Sequence, residues 1–269
     1  MIRVFQVLWI VVFLPLSLDA QDDPSNSGFF RHFGVRHFYN AYQQPYGQHW
    51  HLTSLELKGE NDHLALLGRI NYGQRLINSQ GPFQSINMQY QLDAYPIINE
   101  DNYFYLSYAY SVSRLFTTHQ TRAVYYHIFD YGIETSLGIY LMQWQTSFPI
   151  FTGSVGKYLK HYWISLRPYL VFRDGKISQS YTLFVRRYLD TPDDFFTLIL
   201  GYGSSPVDPA YLIDFNEAYD VKGLNFQVKH QQALENWMFR VGGGFRHEEF
   251  RQDDWRTRYY VELGLFYRL

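Results

Sequence analysis

On an extended strand, residues two apart point the same way, so a hydroxyl nucleophile and its general base could sit at i and i+2. No His in this chain has Ser two residues further on, and His51-Leu52-Thr53 comes near it only with the less usual Thr as nucleophile. A Ser, a His and an acid drawn together from separate strands stays open. Ten His invite a metal reading. His32 and His37 are five apart and fall on opposite strand faces, while His119, His127, His161, His230 and His247 are scattered. They read as interfacial or hydrogen-bonded side chains, and no metal is expected. Asp214-Phe215-Asn216-Glu217-Ala218-Tyr219-Asp220 offers oxygen atoms to Ca²⁺ but lacks the spacing and Gly of an EF-hand loop, so it reads as a solvated acidic loop. The absence of Cys removes thiolate chemistry, Cys-based zinc sites and disulfides, and no cofactor is expected.

A second set of polar residues is more informative. Arg69, Asn71, Gln89, Gln91, Asp93 and Glu134 fall on the polar faces of alternating segments, as do Arg167, Arg186, Arg240, Arg246 and Glu262. If these residues share one side of a sheet, they line an interior. Their mixed signs fit either a salt-bridged plug or a weakly selective channel.

The elements that would position them follow from alternation. In Ser85–Ala94, Ile86, Met88, Tyr90 and Leu92 oppose Asn87, Gln89, Gln91 and Asp93. Tyr103–Val112, Tyr162–Phe172 and Trp237–Phe245 repeat the pattern, which a helix cannot produce. About fourteen such segments run along the chain, near 30–40, 48–58, 63–75, 83–94, 103–114, 120–128, 132–144, 149–158, 162–173, 177–188, 194–203, 223–230, 236–247 and 258–269. Most have 9–13 residues, which exceeds ordinary soluble strands and suits a tilted crossing of a bilayer. Aromatic residues are 20% of the chain while mean hydropathy is only −0.29, as strands with one apolar and one polar face require. Net charge is −2, which gives no case for nucleic acid.

We therefore expect an all-β fold, a closed antiparallel transmembrane β-barrel of about 14 strands, with 12 possible and Asp130-Tyr131-Gly132 the weakest turn on which the count depends. A soluble sandwich alternates too, but the long segments argue for the membrane. So do aromatic residues near segment ends, which would form an interfacial girdle: Tyr95, Tyr103, Trp144, Tyr162, Trp163, Tyr188, Trp237 and Trp255. Arg3, the apolar run Val4–Leu16 and Ser17-Leu18-Asp19-Ala20 read as a signal peptide over residues 1–20, cut after Ala20. Residues 21–29 read as a flexible lead and 30–269 as the barrel. The long stretch Ser204–Lys222 and His247–Trp255 fall on outer connections if both termini are periplasmic.

The closing residues resemble the β-signal of bacterial outer-membrane proteins through Glu262, Gly264, Tyr267 and Leu269, with Leu where Phe is commoner. The resemblance implies delivery by the barrel-assembly machinery into an outer membrane of lipid and lipopolysaccharide. Most of the chain also resembles the YaiO family of outer-membrane β-barrels. The residues that carry this are Leu67-Gly68-Arg69-Ile70-Asn71-Tyr72, Glu134-Thr135-Ser136-Leu137-Gly138-Ile139-Tyr140, and Gly156-Lys157-Tyr158 before Tyr162-Trp163-Ile164-Ser165-Leu166-Arg167. Arg186-Arg187-Tyr188 and Gly201-Tyr202-Gly203-Ser204-Ser205-Pro206 complete the set. The expected role is a channel or export component for a small solute or a glycan. A lipid-modifying hydrolase and an anchoring barrel that binds an envelope partner are the alternatives.

Overall fold

The computed structural model describes residues 28–43, 48–77, 81–82, 87–113, 115–143, 147–173, 176–203, 222–251 and 254–269. The proposed leader, Trp144 and the acidic segment 214–220 lie outside these residues. Strands β1 (Phe30–Tyr42), β2 (Gln48–Glu60) and β3 (Leu64–Ile77) come first, and the two-residue β4 (Gly81–Pro82) pairs with the end of β3. Then come β5 (Asn87–Asn99), β6 (Asn102–Tyr110), β7 (His119–Phe129), β8 (Ile133–Gln143), β9 (Ser147–Leu159) and β10 (Tyr162–Arg173). The rest are β11 (Lys176–Tyr188), β12 (Phe195–Tyr202), β13 (Gly223–Leu234), β14 (Trp237–Arg251) and β15 (Asp254–Arg268).

Every long strand pairs antiparallel with its neighbours in sequence, and β1 pairs with β15 in register His32↔Arg268 to Tyr42↔Arg258. The sheet is thus a closed barrel of fourteen long strands with β4 as an appendage. Closure brings the strands so near at Gly34 that a Cβ there would stand 2.5 Å from the Leu265 carbonyl oxygen and inside the Phe266 ring. Both chain ends of the barrel, Phe30 and Arg268, lie at one rim, here called the near end.

Alternation sorts the residues as the pattern requires. Along β15, Tyr259, Val261, Leu263 and Leu265 point outward and exposed, while Tyr260, Glu262 and Phe266 are buried inside. Buried apolar residues form two clusters inside the barrel, toward the far end. One joins Val124, Tyr140, Met142, Phe148, Ile150, Tyr169 and Val171 from β7 to β10. The other joins Trp50 and Leu52 of β2 to Leu115 and Phe116, which belong to the β6–β7 connection.

Three differences from the sequence expectation have physical reasons. The aromatic girdle is only partly outward: Tyr162, Trp237 and Trp255 are exposed on the wall. Tyr95, Tyr103, Trp163 and Tyr188 share the parity of inner residues and turn inside, where they meet Tyr105, Tyr126 and Arg186. Strand β5 runs on to Asn99, because Pro96, which donates no hydrogen bond, is accommodated opposite Leu64. Strands β14 and β15 extend to Arg251 and from Asp254, so most of the supposed outer loop is hairpin. Asp130-Tyr131-Gly132 does turn the chain, as a single 3₁₀ turn with Tyr131 at φ 62° and Gly132 at φ 70°.

Near-end turns are tied by side chains. In the β11–β12 turn the Ala233 N–H donates to Asp194 at 2.5 Å and the Thr191 hydroxyl donates at 2.7 Å. These two bonds, the Ala233 one foremost, hold the Asp194 carboxyl below its usual range. A depressed folded pKa adds stability above the unfolded value of about 4 and loses it as pH falls through the folded value. The thermal midpoint of detergent-solubilised Asp194→Asn should therefore lie below that of the parent at pH 7, with the gap closing below about pH 4.

Candidate functional site in the barrel interior

The buried carboxylates of the strands are Glu56, Asp93, Glu134, Glu248 and Glu262. An unpaired charge in such a place costs several kcal/mol, so each must find partners. Glu262 has no exposed surface and is met by Lys229 Nζ at 2.7 Å, Arg36 at 3.8 Å and Arg240 at 4.0 Å. Arg36 also pairs with Glu56 at 2.7 Å, Glu56 with Arg69 at 3.3 Å, and Arg69 with Asp93. The result is a belt of alternating charge around the inner wall from β5 through β3, β2, β1 and β15 to β13 and β14. It crosses the β1–β15 seam at Arg36 and Glu262. A second cluster sits toward the far rim, where Glu248 binds Arg246 at 2.7 Å and Arg256 at 2.6 Å.

The wall from β7 to β11 is built differently. Arg122 lies over the Tyr140 ring and donates to the Tyr105 hydroxyl at 3.4 Å. Arg167 donates to the hydroxyls of Tyr126 at 2.7 Å and Tyr140 at 3.4 Å. Arg186 donates to Thr197 at 3.2 Å and stacks on Phe195, Trp163 and Tyr188. Among the described residues none of the three pairs with a carboxylate. Glu134, the buried carboxylate on this wall, accepts instead from Tyr103 at 3.0 Å and Tyr158 at 3.4 Å.

Between the two walls lies a cavity of about 400 Å³. Its lining is unusual for a protein core: Trp50, Tyr95, Tyr105 and Tyr169 alternate with amides such as Asn71, Gln89 and Gln120. Ser54 donates to Asn71 at 2.7 Å and Asn71 to Gln89 at 3.0 Å, which fixes part of the amide row. Trp50 Nε1, Gln89 Nε2 and Gln120 Nε2 are buried there without a hydrogen-bond partner among the described residues. Phe116 covers the cavity from the β6–β7 connection, which folds inward so that Leu115 and Phe116 close over Gly73. A Cβ at Gly73 would stand 2.6 Å from the Leu115 side chain and 2.8 Å from the Phe116 ring, so a larger residue there would push both side chains out of their seat.

Each residue expected to line an interior is buried or half-buried on the inner side. Arg69, Asn71, Gln89, Gln91 and Asp93 meet in one network, where Gln91 donates to Asp93 at 2.9 Å. Arg240 and Glu262 lie in the belt, Arg246 at the far rim, and Arg167, Arg186 and Glu134 on the tyrosine-rich wall. Of the expected assembly residues, Gly264 lies inside beneath Phe266, Tyr267 meets Trp237 edge-to-face on the outside, and the Leu269 N–H donates to the Arg31 carbonyl. Sequence reasoning passed over Arg36, Glu56, Arg122 and Lys229, whose strand parity could have revealed them. Leu115 and Phe116 carry no periodic signal. Of the scattered His side chains, His119 reaches Tyr108 at 2.8 Å, His127 reaches Asn102 at 2.8 Å, His230 stacks on Phe196 and His247 on Trp255.

Removing the charge of Glu262 tests the belt. Glu262→Gln leaves Arg36, Lys229 and Arg240 facing one another without their anion, a loss of about 3–5 kcal/mol for a broken buried pair. Its midpoint in urea, followed by tryptophan fluorescence, should fall accordingly, and Lys229→Met in the same chain should recover part of the loss.

A search of curated proteins finds no match. Among solved structures, a bacterial polysaccharide outer membrane secretin superimposes with TM-score 0.56 at 12% identity, over 91% of this chain and 100% of that one. The crystal structure of Pseudomonas aeruginosa OpdO aligns with TM-score 0.47 at 11% identity, over 89% and 96% of the two chains. At such identity the first likeness speaks to fold alone. The model of the YaiO membrane beta barrel domain matches residues 31–208, from β1 through β12. The chain therefore belongs to the YaiO family of membrane β-barrel domains.

Proposed function

We propose that the protein resides in the bacterial outer membrane and forms a passage for a small solute or a glycan. The carrying observation is the central cavity lined by amides and aromatic faces within a closed barrel, beneath a connection that folds into its mouth. A barrel that served only as an anchor has no need of buried, unsatisfied donors in its middle. Aromatic rings accept the apolar faces of sugar rings, and amides exchange hydrogen bonds with hydroxyl groups, so the lining suits a polyhydroxylated solute. We further propose that a leader over residues 1–20 is removed on export, and that Glu262, Gly264, Tyr267 and Leu269 are read during barrel assembly.

One observation favours the hydrolase reading: Thr53 Oγ1 lies 2.9 Å from His37 Nδ1 on the outer wall, and His37 Nε2 lies 3.4 Å from His51. Against it, no carboxylate orients this His pair among the described residues, and Thr53 sits in the ladder between His37 and Tyr72. Backbone N–H groups committed to a ladder are poor oxyanion donors.

Reconstituted in planar bilayers, the protein should show stepwise conductance, and Leu115→Gly with Phe116→Gly should raise the unitary current by opening the far mouth. Phospholipid turnover that disappears in Thr53→Ala, with no conductance, would replace this reading by the hydrolase. Silence in both assays would leave the anchor.

A further inference from the structure

We infer that the interior recognises a saccharide bearing carboxylate groups. This deepens the passage reading and rests on it only for transit, not for binding. Strand geometry sets Arg186, Arg167 and Arg122 in rising order from the near end. Arg186 pairs across the sheet with Trp163, and Arg167 stands four residues above Trp163 on β10. Arg167 touches Tyr126 and Tyr140, and Arg122 stands four residues above Tyr126 on β7, where it lines the cavity.

The belt on the opposite wall consumes its own charge, since Glu56, Asp93 and Glu262 are all met by cations there. Phenols and ring faces hold the strip of three arginines in place without neutralising it, and Glu134, the buried carboxylate on the same wall, offsets only one of the three. The chain as a whole carries net charge −2, so this interior excess of positive charge is local and not a property of composition. A guanidinium offers a planar fork that matches a carboxylate with two hydrogen bonds, better than it matches a hydroxyl. The neighbouring platforms of Trp50, Tyr95, Tyr105 and Tyr169 supply the stacking surface for the ring that bears the carboxylate. The unsatisfied N–H groups of Trp50, Gln89 and Gln120 are all donors, which suits a ligand rich in acceptors. The cavity volume of about 400 Å³ lies in the range of small-molecule sites, enough for a short stretch of a chain at any one time.

The test uses the full-length mature protein in detergent, with its tryptophan fluorescence as reporter and tetragalacturonate and maltotetraose as probes at matched ionic strength. Tetragalacturonate should quench with saturation, and maltotetraose should need about ten-fold more or fail to saturate. Arg122→Gln and Arg167→Gln should each weaken the acidic probe about ten-fold while leaving maltotetraose unchanged, and Arg122→Lys, which keeps charge but loses the fork, should fall between. Heat-modifiable migration on gels certifies that each variant is folded, and Arg186→Gln stands in for one that is not. Equal binding of the two probes, or acidic binding indifferent to the arginines, overturns the inference. Binding of tetragalacturonate by a barrel without conductance would uphold the inference and overturn the passage.

Discussion

In hydrocarbon an open sheet would leave two rows of unpaired N–H and C=O groups, each a penalty of several kcal/mol, so β1 has to meet β15. That seam constrains everything inside it. Gly34 faces the Leu265 carbonyl and the Phe266 ring because two backbones must come close there. Arg36 and Glu262 then lie diagonally across the seam, and a carboxylate with no exposed surface cannot stand near one arginine alone without fixing its other oxygen. Lys229 does that at 2.7 Å. The belt therefore follows from closure: once Glu262 is buried at the seam, β13 and β14 must present cations to it, and Arg36 must reach back to Glu56.

The second consequence is an asymmetric interior. Charges on the seam side neutralise one another, whereas the wall from β7 to β11 supports its arginines with tyrosines. The two solutions differ in what they leave available. An arginine within reach of a carboxylate has its hydrogen-bonding fork occupied. One supported by a ring face and a phenol keeps charge and donors for a visitor, because neither partner cancels its field. The two apolar clusters close the far part of the interior around this arrangement, and the inward β6–β7 connection adds Phe116 to the cavity lining.

Period-two patterning made the strands legible. Tyr162–Arg173 runs between the bounds its alternation implies, and Glu262, Gly264 and Phe266 fall on the inner face because parity leaves no alternative. Parity also contained information that a composition argument obscured: Tyr95 shares the face of Asp93 and Gln91, so it belongs inside and not in a girdle. Which inner charges pair could not be read along the chain, since Asp93 and Arg69 meet only through the register of neighbouring strands, and Glu262 and Lys229 only over Gly242 on the strand between them. The inward fold of Leu115 and Phe116 was equally invisible, because it depends on the gap that Gly73 leaves on a neighbouring strand.

The family and the closed sheet establish a membrane barrel, and the interior proposes what crosses it. Its central claim is that unneutralised arginines set the field inside the barrel. Reversal potential across a planar bilayer under a ten-fold KCl gradient (~0.1 M against ~1 M, with the screening length falling from about 10 to about 3 Å) tests that claim most directly. A potential of the sign that chloride permeation sets, shrinking toward zero when Arg122, Arg167 and Arg186 are replaced together by Gln, is the predicted result. A potential of the opposite sign, or one unchanged by those replacements, would contradict the account.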